Sequence, residues 1–209
     1  MEVNWGSVFQ VVLRWIHFLA GIIWIGHLYF FNFVNANVAK TDDAETKKKV
    51  VPELMPRALW WFRWGAMFTF GSGMVLFLLV YWGIMMNLST GATSAEDSGR
   101  LWWITLGGLF GTVMWFNVWF VIWPAQRKII GWVKKVEAPP EMAGLVATAG
   151  KRSRINTYLS VPLLFFMSAA AHADKVTFSW VLAAVVTALG VGIAMHFIKL
   201  GTKAGQFTE

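Results

Sequence analysis

The chain has 209 residues, of which 57% are hydrophobic and only 14% are charged. A soluble domain usually carries about 25% charged residues, so this composition excludes an ordinary soluble protein and favours a membrane protein. The absence of cysteine excludes disulfides, thiolate metal sites and the Cys-x-x-Cys-His attachment of c-type haem. The net charge of +7 predicts no nucleic-acid partner, because the basic residues lie between apolar segments, as the positive-inside rule requires.

Five apolar stretches follow one another along the chain, and each is long enough to cross a hydrocarbon layer about 30 Å thick. They predict an all-α integral membrane protein, a bundle of five transmembrane helices that forms a single domain over residues 1–209. The third span is predicted to stop at Pro124, since proline cannot continue the backbone hydrogen bonding of a helix. The predicted spans cover about residues 8–38, 58–87, 101–123, 155–171 and 178–200.

The segments that connect the spans differ in charge. Residues 40–57 and 125–154 are rich in Lys and Arg, whereas residues 87–100 and 172–175 carry one basic residue each. Lys and Arg near span ends are retained on the cytoplasmic side. The sequence therefore predicts an outside N-terminus and a cytoplasmic C-terminus, in a multi-pass protein of a bacterial-type inner membrane.

Four histidines lie in or at the ends of the predicted spans: His17, His27, His172 and His196. An ionisable group inside a membrane usually faces the bundle interior and has a partner. With a rise of about 1.5 Å per residue, the predicted orientation sorts the four into an outer pair, His17 with His172, and an inner pair, His27 with His196.

Two imidazoles that face each other at one depth in a bundle can be the axial ligands of haem iron. Either pair therefore predicts a haem b site, and both pairs together predict two haems. The alternative for each histidine is a hydrogen bond to a neighbouring carbonyl. Arg14 lies one turn from His17 and is a candidate partner for a haem propionate, while Ala20 and Gly21 are expected to leave room for the macrocycle.

Counted along straight helices, the depths of His17 and His172 in the membrane differ by about 10 Å. Pro162 removes a backbone hydrogen bond from the fourth span and predicts a kink that would bring His172 inward. Asn156 or Thr157 is expected to help satisfy the carbonyl that the proline frees.

Other polar and small residues in the spans predict helix packing. Four asparagines are expected to form hydrogen bonds between helices, namely Asn32, Asn35, Asn117 and Asn156. Two pairs of small residues spaced by four predict close contacts between helices: Gly107 with Gly111, and Ala184 with Ala188. The sequence contains no phosphate-binding loop, no Gly-x-Ser-x-Gly and no His-Glu-x-x-His motif.

Two segments carry a resemblance to a known family. The stretch "LRWIHFLAGIIWIGHLYFFNF" at residues 13–33, together with "NTYLSVPLLFFMSAAAH" at residues 156–172, resembles the N-terminal membrane domain of membrane-bound urate oxidases that carry a C-terminal cytochrome c. The resemblance implies a multi-span bundle tied to quinone- or cytochrome-linked oxidation. Because no cytochrome c region and no cysteine follow here, we expect the electron acceptor to be a separate cytochrome c or a quinone.

Three functions follow from these expectations. The first is a b-type haem electron-transfer subunit of a respiratory or oxidase-type complex. The second is a cofactor-free structural subunit that packs against lipid and other membrane subunits. The third is an oxidoreductase that oxidises urate or another small molecule with a separate acceptor, for which the candidate polar residues are Arg14, His17, Asn156, Tyr158 and His172.

Overall fold

The computed structural model describes residues 3–41 and 44–204, without the side chains of residues 39–44. Every regular element in these ranges is helical, which confirms the all-α prediction. Lys40, one of the basic residues in the first predicted connection, has its side chain outside this description. The elements are α1 (Trp5–Tyr29), π-helical segment π1 (Phe30–Asn35), α2 (Ala36–Thr41), α3 (Ala44–Ser89), α4 (Ala95–Phe116), π-helical segment π2 (Asn117–Ile122), α5 (Trp123–Lys135), α6 (Glu141–Ala171) and α7 (Trp180–Gly201).

These elements form five long helical rods, because α1, π1 and α2 follow one another directly and so do α4, π2 and α5. Within the described ranges, four helical stretches are long and apolar enough to cross a membrane: Trp5–Val38, Glu45–Ser89, Ala95–Lys135 and Trp180–Gly201. The remaining rod, α6, is less apolar, and it buries Asn156, Thr157 and Ser160 against its neighbours. A central helix can carry such residues, since its polar groups find partners inside the bundle.

The predicted connection at residues 40–57 is wrong from Ala44 onward, where the chain is already helical. Pro52 and Pro56 lie inside α3 and do not end it. Proline removes one backbone hydrogen bond, and ion pairs one helical turn apart stabilise the same exposed turns. These pairs join Lys49 to Glu45 at 3.0 Å and Arg57 to Glu53 at 2.7 Å.

The predicted stop of the third span at Pro124 is also wrong, because the helical rod runs on to Lys135. The π-helical segment ends at Ile122, and Pro124 falls in the first turn of the α-helix that follows. Proline at this position removes one backbone hydrogen bond, but it does not end the rod. The sequence pattern contained no sign of this change of helix type.

The bundle is organised around α6. Helix α1 packs mainly against α3, while α4 packs against α6, and α6 also packs against α7. The main apolar core joins the first four rods, with Trp24, Phe62 and Met114 almost fully buried.

Glycines allow the closest approaches between rods. A Cβ at Gly190 of α7 would lie 2.7 Å from Cδ of Pro162, and one at Gly107 of α4 would lie 3.1 Å from Cε of Met167. A Cβ at Gly111 would meet Leu163 at 3.5 Å, so the Gly107–Gly111 prediction is confirmed. The prediction for Ala184 and Ala188 is wrong, since both are exposed, and α7 instead buries Ala183, Gly190 and Ala194.

Candidate functional site

His17 of α1 is held by the neighbouring helix α3. Its Nδ1 lies 2.9 Å from the carbonyl oxygen of Thr69 and 3.3 Å from Oγ of Ser72. A carbonyl oxygen only accepts, so Nδ1 carries the proton and Nε2 keeps its lone pair. Gly73 makes this approach possible, because a Cβ there would lie 2.9 Å from Cε1 of the imidazole.

Two other histidines have the same proton arrangement through their own helices. Nδ1 of His27 donates to the carbonyl of Ile23 at 2.7 Å, and Nδ1 of His172 donates to the carbonyl of Ser168 at 2.9 Å. In the neutral form of these imidazoles, Nε2 is then the acceptor. Three of the four imidazoles thus present the nitrogen that haem iron would bind.

No hydrogen bond or ring contact of the described residues joins two histidines. His17 and His27 are half-buried on α1, the latter in a groove between α1 and α3 that also includes Trp61. His172 and His196 are exposed, at the end of α6 and on α7. The described residues also contain no group of three or more His, Cys, Asp or Glu that could hold a metal ion. The two predicted haem pairs stay predictions.

The surroundings of His17 differ in part from the expectation. Arg14 is exposed and forms no ion pair with a described residue, which leaves its guanidinium free for an anion. The expected space beside Ala20 is filled, because Ala20 is buried and a Cβ at Gly65 of α3 would lie 3.2 Å from its carbonyl oxygen. Any macrocycle bound by His17 would lie away from this contact.

A buried polar seam runs along α6 and contacts both π-helical segments. On one side, Nδ2 of Asn117 in π2 donates to Oδ1 of Asn156 at 2.8 Å. Nδ2 of Asn156 donates in turn to the carbonyl of Met114 at 3.0 Å. Asn156 has no exposed surface, so this pair satisfies amide groups that water cannot reach.

The other side of the seam joins α6 to the first rod. Nδ2 of Asn32 in π1 donates to Oγ of Ser153 at 2.8 Å, and the hydroxyls of Tyr29 and Ser160 are 3.0 Å apart. Ser160 gives its proton to the carbonyl of Thr157, so the Tyr29 phenol is the donor to Ser160. The predicted interhelical bonds of Asn32, Asn117 and Asn156 are confirmed.

Asn156 and Thr157 do not donate hydrogen bonds to the carbonyl that Pro162 leaves without a backbone partner. The amide of Asn156 reaches Met114, and Oγ1 of Thr157 donates to the carbonyl of Ser153 at 3.1 Å. That expectation is wrong because these side chains donate to carbonyls of a neighbouring helix and of the preceding turn instead.

Arg63 was not predicted as a functional residue, and it lies in an aromatic cage. Its guanidinium carbon is 4.1 Å from the ring centroid of Trp123, 5.1 Å from that of Trp119 and 5.7 Å from that of Trp64. Such distances are typical of cation–π interactions. The signal in the sequence was an arginine between tryptophans, in "WWFRW" at residues 60–64.

The fold defines the class of protein first: an all-helical bundle with several helices that are apolar and long enough to cross a membrane. A family model described as urate oxidase N-terminal matches residues 83–208, more than half of the chain. The chain therefore belongs to the urate oxidase N-terminal family. Neither the curated proteins nor the solved structures compared with it gave a match.

The matched region runs from the last turns of α3 through α7. It includes the second resembling segment, residues 156–172, together with His172 and His196. It leaves out the first resembling segment, with Arg14, His17 and His27. The family assignment therefore rests on the part of the bundle that is built around α6.

Proposed function

We propose that this chain is the membrane-embedded b-type haem subunit of an oxidoreductase complex related to the urate oxidases. The family match supports the relation to urate oxidases, and the long apolar helices support a multi-pass position in a membrane. The charge of the connecting segments supports a cytoplasmic C-terminus. In such a subunit, a bound haem b would supply one-electron transfer.

The observation that carries this proposal is the geometry of His17. A histidine that binds a metal commonly donates its other ring N–H to a backbone carbonyl, which fixes the tautomer and the direction of the ring. Thr69 of a different helix accepts that proton at 2.9 Å, and Gly73 lies against the ring. The residues around His17 therefore fit an axial ligand whose Nε2 is held in a fixed direction.

The outer pair with His172 is the favoured pairing. Its Nδ1 also donates to a carbonyl, so its Nε2 is available in the same tautomer. Arg14, one turn from His17, would pair with a propionate. The inner pair, His27 with His196, is a second candidate site and would make the number of haems two.

Variants at two glycines of α3 test the role of His17. Gly73→Ala places a Cβ 2.9 Å from the imidazole, whereas a Cβ at Gly71 meets nothing within 4 Å. We expect His17→Ala to abolish the reduced α-band of the purified protein at the outer site, and Gly73→Ala to shift or weaken the band. Gly71→Ala is the matched control and should leave it unchanged. A band of wild-type position and amplitude in His17→Ala would contradict His17 as a ligand.

A cofactor-free structural subunit is the second candidate function. It is favoured by the bonds of His27 and His172 to carbonyls of their own helices, which satisfy one nitrogen of each ring without a ligand. Large exposed apolar side chains along the rods fit contact with other membrane subunits. This candidate predicts that replacement of all four histidines by Gln leaves complex assembly intact.

Oxidation of urate, or of another small molecule, is the catalytic form of the proposal, and it draws on the family match. The electron acceptor would be a separate cytochrome c or a quinone. Urate consumption by the purified protein with added cytochrome c tests it, with the His17→Ala variant as the control. If the haem-loaded protein consumes no urate, electron transfer alone remains the proposed function of this chain.

A further inference from the structure

A basic cleft lies where α5 begins. Trp123, Pro124, Arg127 and Lys128 line an open depression of about 480 Å³ on the surface of this helix. Arg127 and Lys128 are exposed, and neither forms an ion pair with a described residue. We call this region the Trp123 cleft.

Arg63 adds a third positive charge next to the Trp123 cleft. Its guanidinium lies 4.1 Å from the centroid of the Trp123 ring, and its buried Nε has no acceptor among the described residues. The aromatic cage therefore holds the cation in place, and no carboxylate of the described residues forms an ion pair with it. By contrast, Glu53 at the beginning of the same helix pairs with Arg57 at 2.7 Å and lies within electrostatic reach of Lys134.

The surface that leads to the Trp123 cleft is apolar. Phe116 and Phe120 are 51% and 58% exposed, and their rings stack at 4.9 Å. Pro124 and Lys128 continue the same spacing of four residues along the rod. Side chains spaced by four lie on one face of a helix. An exposed aromatic surface thus runs directly into a cluster of cations.

We propose that the Trp123 cleft binds the phosphate of an anionic phospholipid, with the acyl chains along Phe116 and Phe120. Arg and Lys are the side chains that bind phosphate oxygens, and basic pockets between membrane helices bind lipid head groups. A free phosphate ion shares the head-group chemistry but gains nothing from the aromatic surface. The inference rests on the membrane position proposed above and not on the haem.

The test measures thermal stabilisation of the detergent-purified protein by added phosphatidylglycerol, phosphatidylcholine or inorganic phosphate at equal phosphorus concentration. Phosphatidylglycerol should stabilise the wild type more than the other two. The double variant Arg127→Gln/Lys128→Gln should bind phosphatidylglycerol at least about tenfold more weakly, because it loses two charge-assisted contacts. Lys134→Gln/Lys135→Gln removes the same charge from the same helix outside the cleft, and should change binding by less than about twofold.

Three outcomes would overturn the inference. Equal losses in the two double variants would mean that attraction depends on the net charge of the helix and not on a site. Equal stabilisation by inorganic phosphate would mean a free-anion site without a lipid. Unchanged phosphatidylglycerol binding in Arg127→Gln/Lys128→Gln would show that the Trp123 cleft is not the binding site. The α-band of the haem serves as a separate readout, so failure here is distinguishable from failure of the proposed function.

Discussion

At the scale of single residues, the chemistry and stability of the bundle depend on the hydrogen bonds that its histidine and asparagine side chains form. Nδ1 of His17, His27 and His172 donates to a carbonyl in each case, which leaves Nε2 as the acceptor. Asn156 connects Asn117 to the carbonyl of Met114 at a position with no exposed surface. Because the Asn156 amide has no access to water, its hydrogen-bond partners determine whether its burial is tolerated.

Replacement of Asn156 by Ala should destabilise the bundle by about 1–3 kcal/mol, because it leaves the amide of Asn117 buried without an acceptor. Thermal or denaturant unfolding in detergent measures the change. Thr112→Ala is the matched control, since that hydroxyl is exposed and bonds only to Gly108 of its own helix. Equal destabilisation by the two variants would contradict a special role for the seam.

The sequence identified which residues are polar in the spans, but not which partners they choose. The interhelical bonds of Asn32, Asn117 and Asn156 could be predicted, because an amide inside a membrane needs a partner. The bond from His17 to Thr69 could not, since the two residues are 52 positions apart and the bond depends on how α1 and α3 cross. Arg63 was overlooked because its partners are aromatic faces and not carboxylates.

At the scale of the helical elements, the two π-helical segments and one proline shape the contacts around α6. Each segment contributes an asparagine to the seam, Asn32 from π1 and Asn117 from π2. π-helical turns inside α-helices occur frequently at functional sites. The apolar pattern predicted the rods that contain residues 101–123 and 178–200. Hydropathy does not distinguish α-helical from π-helical geometry, so the two π-helical segments were not predicted.

Gly190→Ala should separate α7 from α6. Its Cβ would lie 2.7 Å from Cδ and 2.9 Å from N of Pro162, and a rigid proline in a helix cannot give way. We expect a loss of about 1–3 kcal/mol in the free energy of unfolding, as for other overpacked contacts. Gly192→Ala, two residues on, meets nothing within 4 Å and should be neutral or slightly stabilising. The prediction fails if both alanines are equally tolerated.

At the scale of the whole molecule, the outer surface of the bundle is strongly apolar. Side chains such as Phe18, Ile22 and Val181 are 68%, 71% and 74% exposed. Burial of such a surface in lipid or against other chains gives a favourable free energy of about 25 cal/mol per Å². Lys and Arg are grouped at residues 125–154, so the molecule has one strongly basic end.

Single cysteines test the predicted orientation without interference, because the chain has none of its own. Asp174→Cys lies in the exposed turn between α6 and α7, and Lys135→Cys lies at the exposed end of α5. With the N-terminus outside, a membrane-impermeant maleimide added to intact cells should label position 174 and spare position 135. The reverse labelling would contradict the orientation.

The most direct measurement of the haem proposal is the reduced-minus-oxidised optical spectrum of the purified wild-type protein, together with its haem content per chain. The prediction is an α-band typical of b-type haem at one haem per chain, or at two if the inner histidine pair also binds. A colourless protein, purified from haem-sufficient cells and correctly folded, would contradict it.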